Sequence, residues 1–180
     1  MKNCVPFLDA LAAGYVIELL CDVQVKIVNN LPIVTWLSDP DPITTRKPMM
    51  APTLPTPAGC YPEHFIWISQ HAIRVPKGYS VLLTHPINRY DLPFLTHTGF
   101  ADGDVLIPGD LPIPFFLKTG FEGIIPKGTP IVQLIPIKRE SWISKRADEL
   151  VEKSKKIHYL GNTISSGYYK LTRWNKKEYN

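Results

Sequence analysis

Asp102 and Asp104 flank a single glycine in "THTGFADGDV", residues 96–105, and chemistry could begin there. Two carboxylates so spaced can offer hard oxygen ligands to a Mg²⁺ that bridges to a phosphate, or orient a water molecule. Asp-Gly-Asp is also ordinary turn composition, and a solvated turn is the plain alternative. Asn88 and Arg89, in "HPINRYDLP", form a second polar pair. The guanidinium fork suits phosphate oxygens, although Asp91 offers Arg89 a partner two residues away. Gln133 is a lone amide in the apolar "GIIPKGTPIVQLIPIKR". An amide in such a strand can face a ligand. His85 and His97 fall on expected strands, and with Asp102 they would compose a two-His-one-carboxylate iron set. Histidines hydrogen-bonded within a β core are the default for the same residues.

Other chemistries find no footing. No phosphate-binding Gly-Lys-Ser/Thr loop, dinucleotide fingerprint or Gly-x-Ser-x-Gly elbow occurs. Cys4, Cys21 and Cys60 make no Cys-x-x-Cys and no metal-ligand spacing, and read as free thiols of a reducing cytosol. Cys60 has no evident partner base, so covalent catalysis lacks support. The end of the chain interleaves Tyr168, Tyr169, Lys170, Arg173, Trp174, Lys176, Lys177 and Tyr179. Such a tail can stack on single-stranded nucleic acid. An arm anchoring Tyr168, Tyr169 and Trp174 in a neighbouring subunit accounts for the same residues and is the preferred reading.

The elements that must position these groups are mostly strands. The chain has 180 residues, 44% of them hydrophobic and 20% charged, which is a globular balance. Eighteen prolines and short extended runs divided by Pro and Gly suit an all-β fold with many turns. "PFLDALAAG" reads as a short helix with Gly14 capping its end, and "DVQVKIV" alternates as a half-buried strand. Residues 38–62 are Pro-rich and aperiodic, a long loop or arm. From Phe65 onward "FIWIS", "HAIRV", "YSVLLTH", "VLI", "IPFFLK" and "IVQLIPI" read as strands, with two alike turns at Pro76-Lys77-Gly78 and Pro126-Lys127-Gly128. After Trp142 the period changes. Ile143, Ala147, Leu150, Val151 and Ile157 share a helical face, with Ser141 as N-cap and Gly161 as stop. No run is long enough for a membrane span, and Asp9 and Glu18 interrupt the N-terminal apolar stretch, which reads as structure. The net charge of +4 is uneven: residues 138–180 carry +6 and residues 1–137 carry −2.

"IIPKGTPIVQLIPI", "THTGFADGDV" and "IRVPKGYSVLL" resemble, in order and spacing, the core motifs of the dUTPase and dCTP deaminase superfamily. The likeness spans His71 to Arg139. It implies a β-clip, a distorted barrel or sandwich of short strands. It also implies homotrimers with sites between subunits, and Mg²⁺ if the enzyme is active. By the same resemblance Asp102 falls where the family orients water and contacts the sugar. Gln133 falls where the strand nears the phosphates, and Asn88 and Arg89 fall in the phosphate motif. Apart from the resemblance, Asp104 is the candidate metal ligand of the Asp-Gly-Asp pair. Val105, however, stands in place of the stacking aromatic. The phosphate-motif serine is absent, as is the Gly-rich arm, and "GDVLIPGD" carries an insertion. The combination "PFLDAL…GYVI", "VPKGYS" and "IPKGTPIVQLIPIKRESW" is also similar to uncharacterised phage proteins.

The expectation is therefore a mainly β, dUTPase-like β-clip. A short helix and strand occupy 1–37, a Pro-rich loop or arm 38–62 and the β core 63–140. A helix follows over 141–161, then a basic aromatic tail over 162–180. Its function would be to bind a nucleotide or nucleotide-derived ligand at a subunit cleft without turnover. The alternatives are a trimeric phage virion or assembly protein, which would contact other virion proteins, and a divergent dUTP pyrophosphatase. The expected location is cytoplasmic, or the virion under the second reading.

Overall fold

The computed structural model describes residues 4–45, 54–69, 71–105, 112–147, 150–151, 153–155, 158–159, 170–171 and 173–176. They belong to two units, 14–139 and the combination of 1–13 with 140–180. The larger unit is built of eleven strands among the described residues, in three antiparallel sheets, none closed into a barrel.

The first sheet runs in the order β1 (Tyr15–Glu18), β11 (Pro130–Lys138), β6 (Tyr79–Thr84), β8 (Gly99–Ala101). The second is β10 (Gly123–Ile125), β2 (Val23–Val28), β3 (Leu31–Trp36). The third is β4 (Ile43–Thr44), β5 (Cys60–Ile68), β9 (Pro112–Lys118), β7 (Phe94–Thr96). Val23 and Val25 are fully buried while Lys26 faces water, which is the period-two alternation of a strand with one wet face. β11 is buried from Ile131 to Leu134: β1 and β6 pair with its two edges, Val132 and Leu134 belong to the core, and the loop holding Ile87 covers Gln133.

Turn chemistry sets the registers. Asn29 and Asn30 both adopt positive φ, at 51° and 61°, and make the two-residue hairpin between β2 and β3. Gly78 and Gly128 hold φ of 85° and 80° in the two Pro-Lys-Gly turns. Each turn is closed by a bond from the residue after the glycine to the proline carbonyl. Gly14, at φ 68°, brings the start of β1 so close to β11 that a Cβ there would stand 1.9 Å from the Leu134 carbonyl oxygen. Pro32 lies within β3, an outer strand of its sheet, and has no N–H to offer a ladder.

The core sits between the sheets. Trp67 stacks on Phe115 at 3.6 Å, and Phe94 meets Trp67 edge-on at 5.1 Å. Thr96 carries the polar part of this core. Its hydroxyl accepts from the Trp67 indole N–H at 3.3 Å and donates to the Ile131 carbonyl at 2.7 Å.

Several sequence expectations are corrected. "HAIRV" forms no strand; Val75 instead donates its N–H to Gly103 at 3.4 Å. Helix α1 (Val5–Ala12) forms, but Ala13 is already extended, so Gly14 serves the entry to β1 rather than the helix cap. In the smaller unit, 140–147 is not helical, and Ser141 caps nothing. Helical residues there include Leu150, Val151 and 153–155. The Pro-rich stretch contributes β4 and the start of β5. Tyr168, Tyr169, Ile157 and most of "VLIPGD" lie outside the described residues.

Replacing Thr96 by valine keeps the shape but leaves the Trp67 N–H and the Ile131 carbonyl without this partner. We expect a loss of about 1–3 kcal/mol, seen as a lower denaturant midpoint at unchanged slope. An unmoved midpoint would show that the hydroxyl bridges nothing of consequence.

Candidate functional site

β6 presents Ser80, Leu82 and Thr84 on one face. Opposite them on β11 stand Ile137, Ile135 and Gln133, and on β8 Phe100 faces Leu82. Asp102 follows β8 and accepts from the Ser80 hydroxyl at 2.9 Å. Asp102 and Gln133 therefore share one sheet face. Four positions of β6 separate them, about 13 Å along the strand, with Leu82, Ile135 and Phe100 between.

The Asp102 end is an ion-pair cluster. Arg139, just past β11, donates to Asp102 at 3.0 Å and to Asp104 at 3.0 Å, with a second, shorter bond to Asp104. Asp104 also accepts the Gly78 N–H at 2.9 Å. The Arg139 guanidinium, then the Gly78 N–H, hold the Asp104 carboxyl down at about 2. The arrangement pins the turn after β8 to the start of β6 and the end of β11. Asp104 is thus an acceptor for a guanidinium, and a cation would have to displace that guanidinium. Sequence reasoning passed over Arg139. Its only local signal was a basic residue ending an apolar strand, and its partners lie 35 and 37 positions earlier.

At the other end Gln133 is 2% exposed, and its Oε1 accepts the Ile87 N–H at 2.9 Å. It fastens the loop that follows β6. Arg89 in that loop is forked onto Asp91, with bonds of 2.9 and 2.8 Å, which is the surface pairing weighed above. Asn88 takes positive φ, 62°, and its Oδ1 accepts from Tyr90 at 3.4 Å. His85 closes the same loop. Its Nδ1 accepts the Thr96 N–H at 3.3 Å, so its proton is on Nε2, which donates to the Arg89 carbonyl at 2.9 Å. Burial, first among several causes, lowers its pKa. With both nitrogens engaged by backbone, His85 does not offer itself to iron. His97 packs its ring on Phe116 at 5.0 Å, and its Nε2 is buried without a partner among the described residues. Among the described residues no group of three or more His, Cys, Asp or Glu gathers to hold a metal.

The remaining expected positions are equally placed. Burial pushes the Cys60 thiol up against the opposing pull of Lys118, so the thiolate nucleophile is disfavoured. Trp174 donates its indole N–H to Asp9 of its own chain at 3.0 Å. No described helix is long and apolar enough to cross a membrane. The larger unit also carries a groove of about 610 Å³ at one end of the second sheet. Leu20, Cys21, Trp36, Leu37 and Ile124 line it, with Asp22 and Lys127 at its edge. Asp22 accepts the Lys127 N–H at 2.8 Å, and Asp41 accepts the Trp36 indole N–H at 2.8 Å.

Two measurements check this geometry. In a carboxyl NMR titration Asp104 should titrate near 2 and move up toward the ordinary carboxylate range in Arg139→Ala. A folded-state pKa below the unfolded one stabilises above the unfolded value. That part of the stability should therefore vanish as pH falls from about 4 through about 2, and be smaller in the variant, where the Gly78 N–H alone remains of the two named partners. Separately, Gln133→Leu strips the Ile87 N–H of this acceptor in a buried place. A loss of about 1–3 kcal/mol is expected, with faster amide exchange at Ile87.

No family model matches the chain, and no curated protein or solved structure matches it either.

Proposed function

We propose that the chain is a non-catalytic, dUTPase-like β-clip protein whose work is assembly: it associates with copies of itself as a building block, as a virion or assembly component does. The observation that carries this reading is the outward placement of large apolar side chains. Leu37 is 98% exposed, Trp142 88% and Ile143 85%, and Leu31, Ile33 and Val28 stand outward on β2 and β3. Large apolar side chains left outward on each unit mark interaction surfaces. The polar groups that the resemblance would assign to a ligand are instead engaged within the chain: Arg89 by Asp91, Asp102 by Ser80 and Arg139, and Gln133 by Ile87.

A second reading, a nucleotide-like ligand held between subunits, draws on one observation. Asp102 and Gln133 share a sheet face, and a neighbouring copy could complete a cleft over it. The two readings separate in one experiment. Purified protein is titrated calorimetrically with a panel of nucleotides, cyclic ones included, and assayed for pyrophosphate release from dUTP with Mg²⁺. The assembly reading expects no heat and no release, with a native mass above that of one chain. Binding that Asp102→Ala abolishes would favour the ligand reading instead, and pyrophosphate release would overturn both.

A further inference from the structure

The groove beside Trp36 and Leu37 has an apolar lining, and none of the described residues of its own unit fills it. The segment after β11, neither helix nor strand over 139–147, presents two adjacent apolar side chains, Trp142 and Ile143, close to fully exposed. We infer that the Trp142–Ile143 segment of one copy lies in this groove of a second copy. This inference rests on the assembly reading and names its contact.

Reach excludes the intramolecular version. Arg139 is pinned at the far end of β11, where its N–H donates to the Gly78 carbonyl at 2.8 Å and its side chain to Asp102 and Asp104. The groove lies by the near end, where Gly128 donates to the Leu19 carbonyl at 2.8 Å and Lys127 to Asp22. Ten residues of extended chain, roughly 30 Å, separate Thr129 from Arg139. Trp142 is three residues past Arg139, and three residues span at most about 11 Å. The segment can fill such a groove only on another molecule.

Chemistry matches at both levels. The lining of Leu20, Cys21, Trp36, Leu37 and Ile124 suits an indole and a branched aliphatic side chain, and about 610 Å³ lies within the range of binding clefts. Asp22 and Asp41 stand at the edge or next to the lining residues, and the acidic Asp39 is two residues past Leu37. Lys145 follows Ile143 by two positions in a segment whose basic excess, +6 over 138–180, faces a body of −2 over 1–137. The contact is heterologous, segment to groove, so copies join head to tail and close into a ring when the rotation allows.

The test uses the full chain in sedimentation velocity over a concentration series. The segment variant is Trp142→Ala with Ile143→Ala, and the groove variant is Leu37→Asp. All three sites are exposed, so folding should survive, which circular dichroism and thermal unfolding verify. Lys145→Glu and Leu37→Lys serve as a replacement pair if either variant fails to fold. Each variant alone should associate more than about tenfold more weakly, as when a central aromatic anchor is lost. An equimolar mixture should regain a two-chain species, because one intact segment then meets one intact groove. A mixture that stays monomeric, or an oligomer indifferent to both variants, overturns the inference and leaves the assembly reading standing. A wild-type chain that is monomeric at its highest soluble concentration overturns both.

Discussion

A single hydroxyl organises the middle of this protein. Thr96 lies on the third sheet, inside an aromatic cluster where an unpaired polar group would be costly. Its oxygen satisfies the Trp67 indole and reaches the Ile131 carbonyl on the first sheet, tying two sheets through one atom. Its N–H extends the chain of bonds by donating to His85, which in turn holds the Arg89 carbonyl. Gln133, two residues beyond Ile131, takes the Ile87 N–H from the same loop. The loop between β6 and β7 is thus set by polar contacts that radiate from the core. Its conformation is as well determined as that of a strand, although it has no ladder.

That placement explains why residues with ligand-binding chemistry act here as fasteners. A buried amide must satisfy its own polar atoms before it can serve anything else, and Gln133 does so with backbone. Arg139 sits between two carboxylates, where its fork gains most from staying. Asp91, Asp102 and Asp104 turn Arg89 and Arg139 inward to the chain's own charges.

Much of the architecture is legible in the sequence, for local reasons. The alternation of "DVQVKIV" and the long apolar runs around Trp67, Phe115 and Val132 mark strands because burial imposes a period. The paired Pro-Lys-Gly turns follow from the need for positive φ at their glycines. Other features hide. β3 contains a proline and looks broken, although Asn29-Asn30 before it is the signature of a tight hairpin. "HAIRV" has the composition of a strand but forms no ladder among the described residues beyond the single Val75–Gly103 bond, and strand propensity records only what a residue would do if paired. Ile143 and Ala147 share the helical spacing yet lie ahead of the helical residues that begin at Leu150, because a hydrophobic period needs a surface to pack against before it dictates a helix. Of the candidate site, residue types were legible and partners were not. Gln133 and Ile87 are 46 positions apart, and nothing in either short stretch names the other.

Pro32 has a consequence for how far any association can run. β3 is the outer strand of its sheet among the described residues, and such an edge ordinarily invites another strand to add on, then another, toward a fibril. A ring nitrogen without hydrogen interrupts that template near its start. Copies that meet along this border must therefore recognise one another by side-chain shape, which permits a finite count, rather than by a ladder that has no natural end.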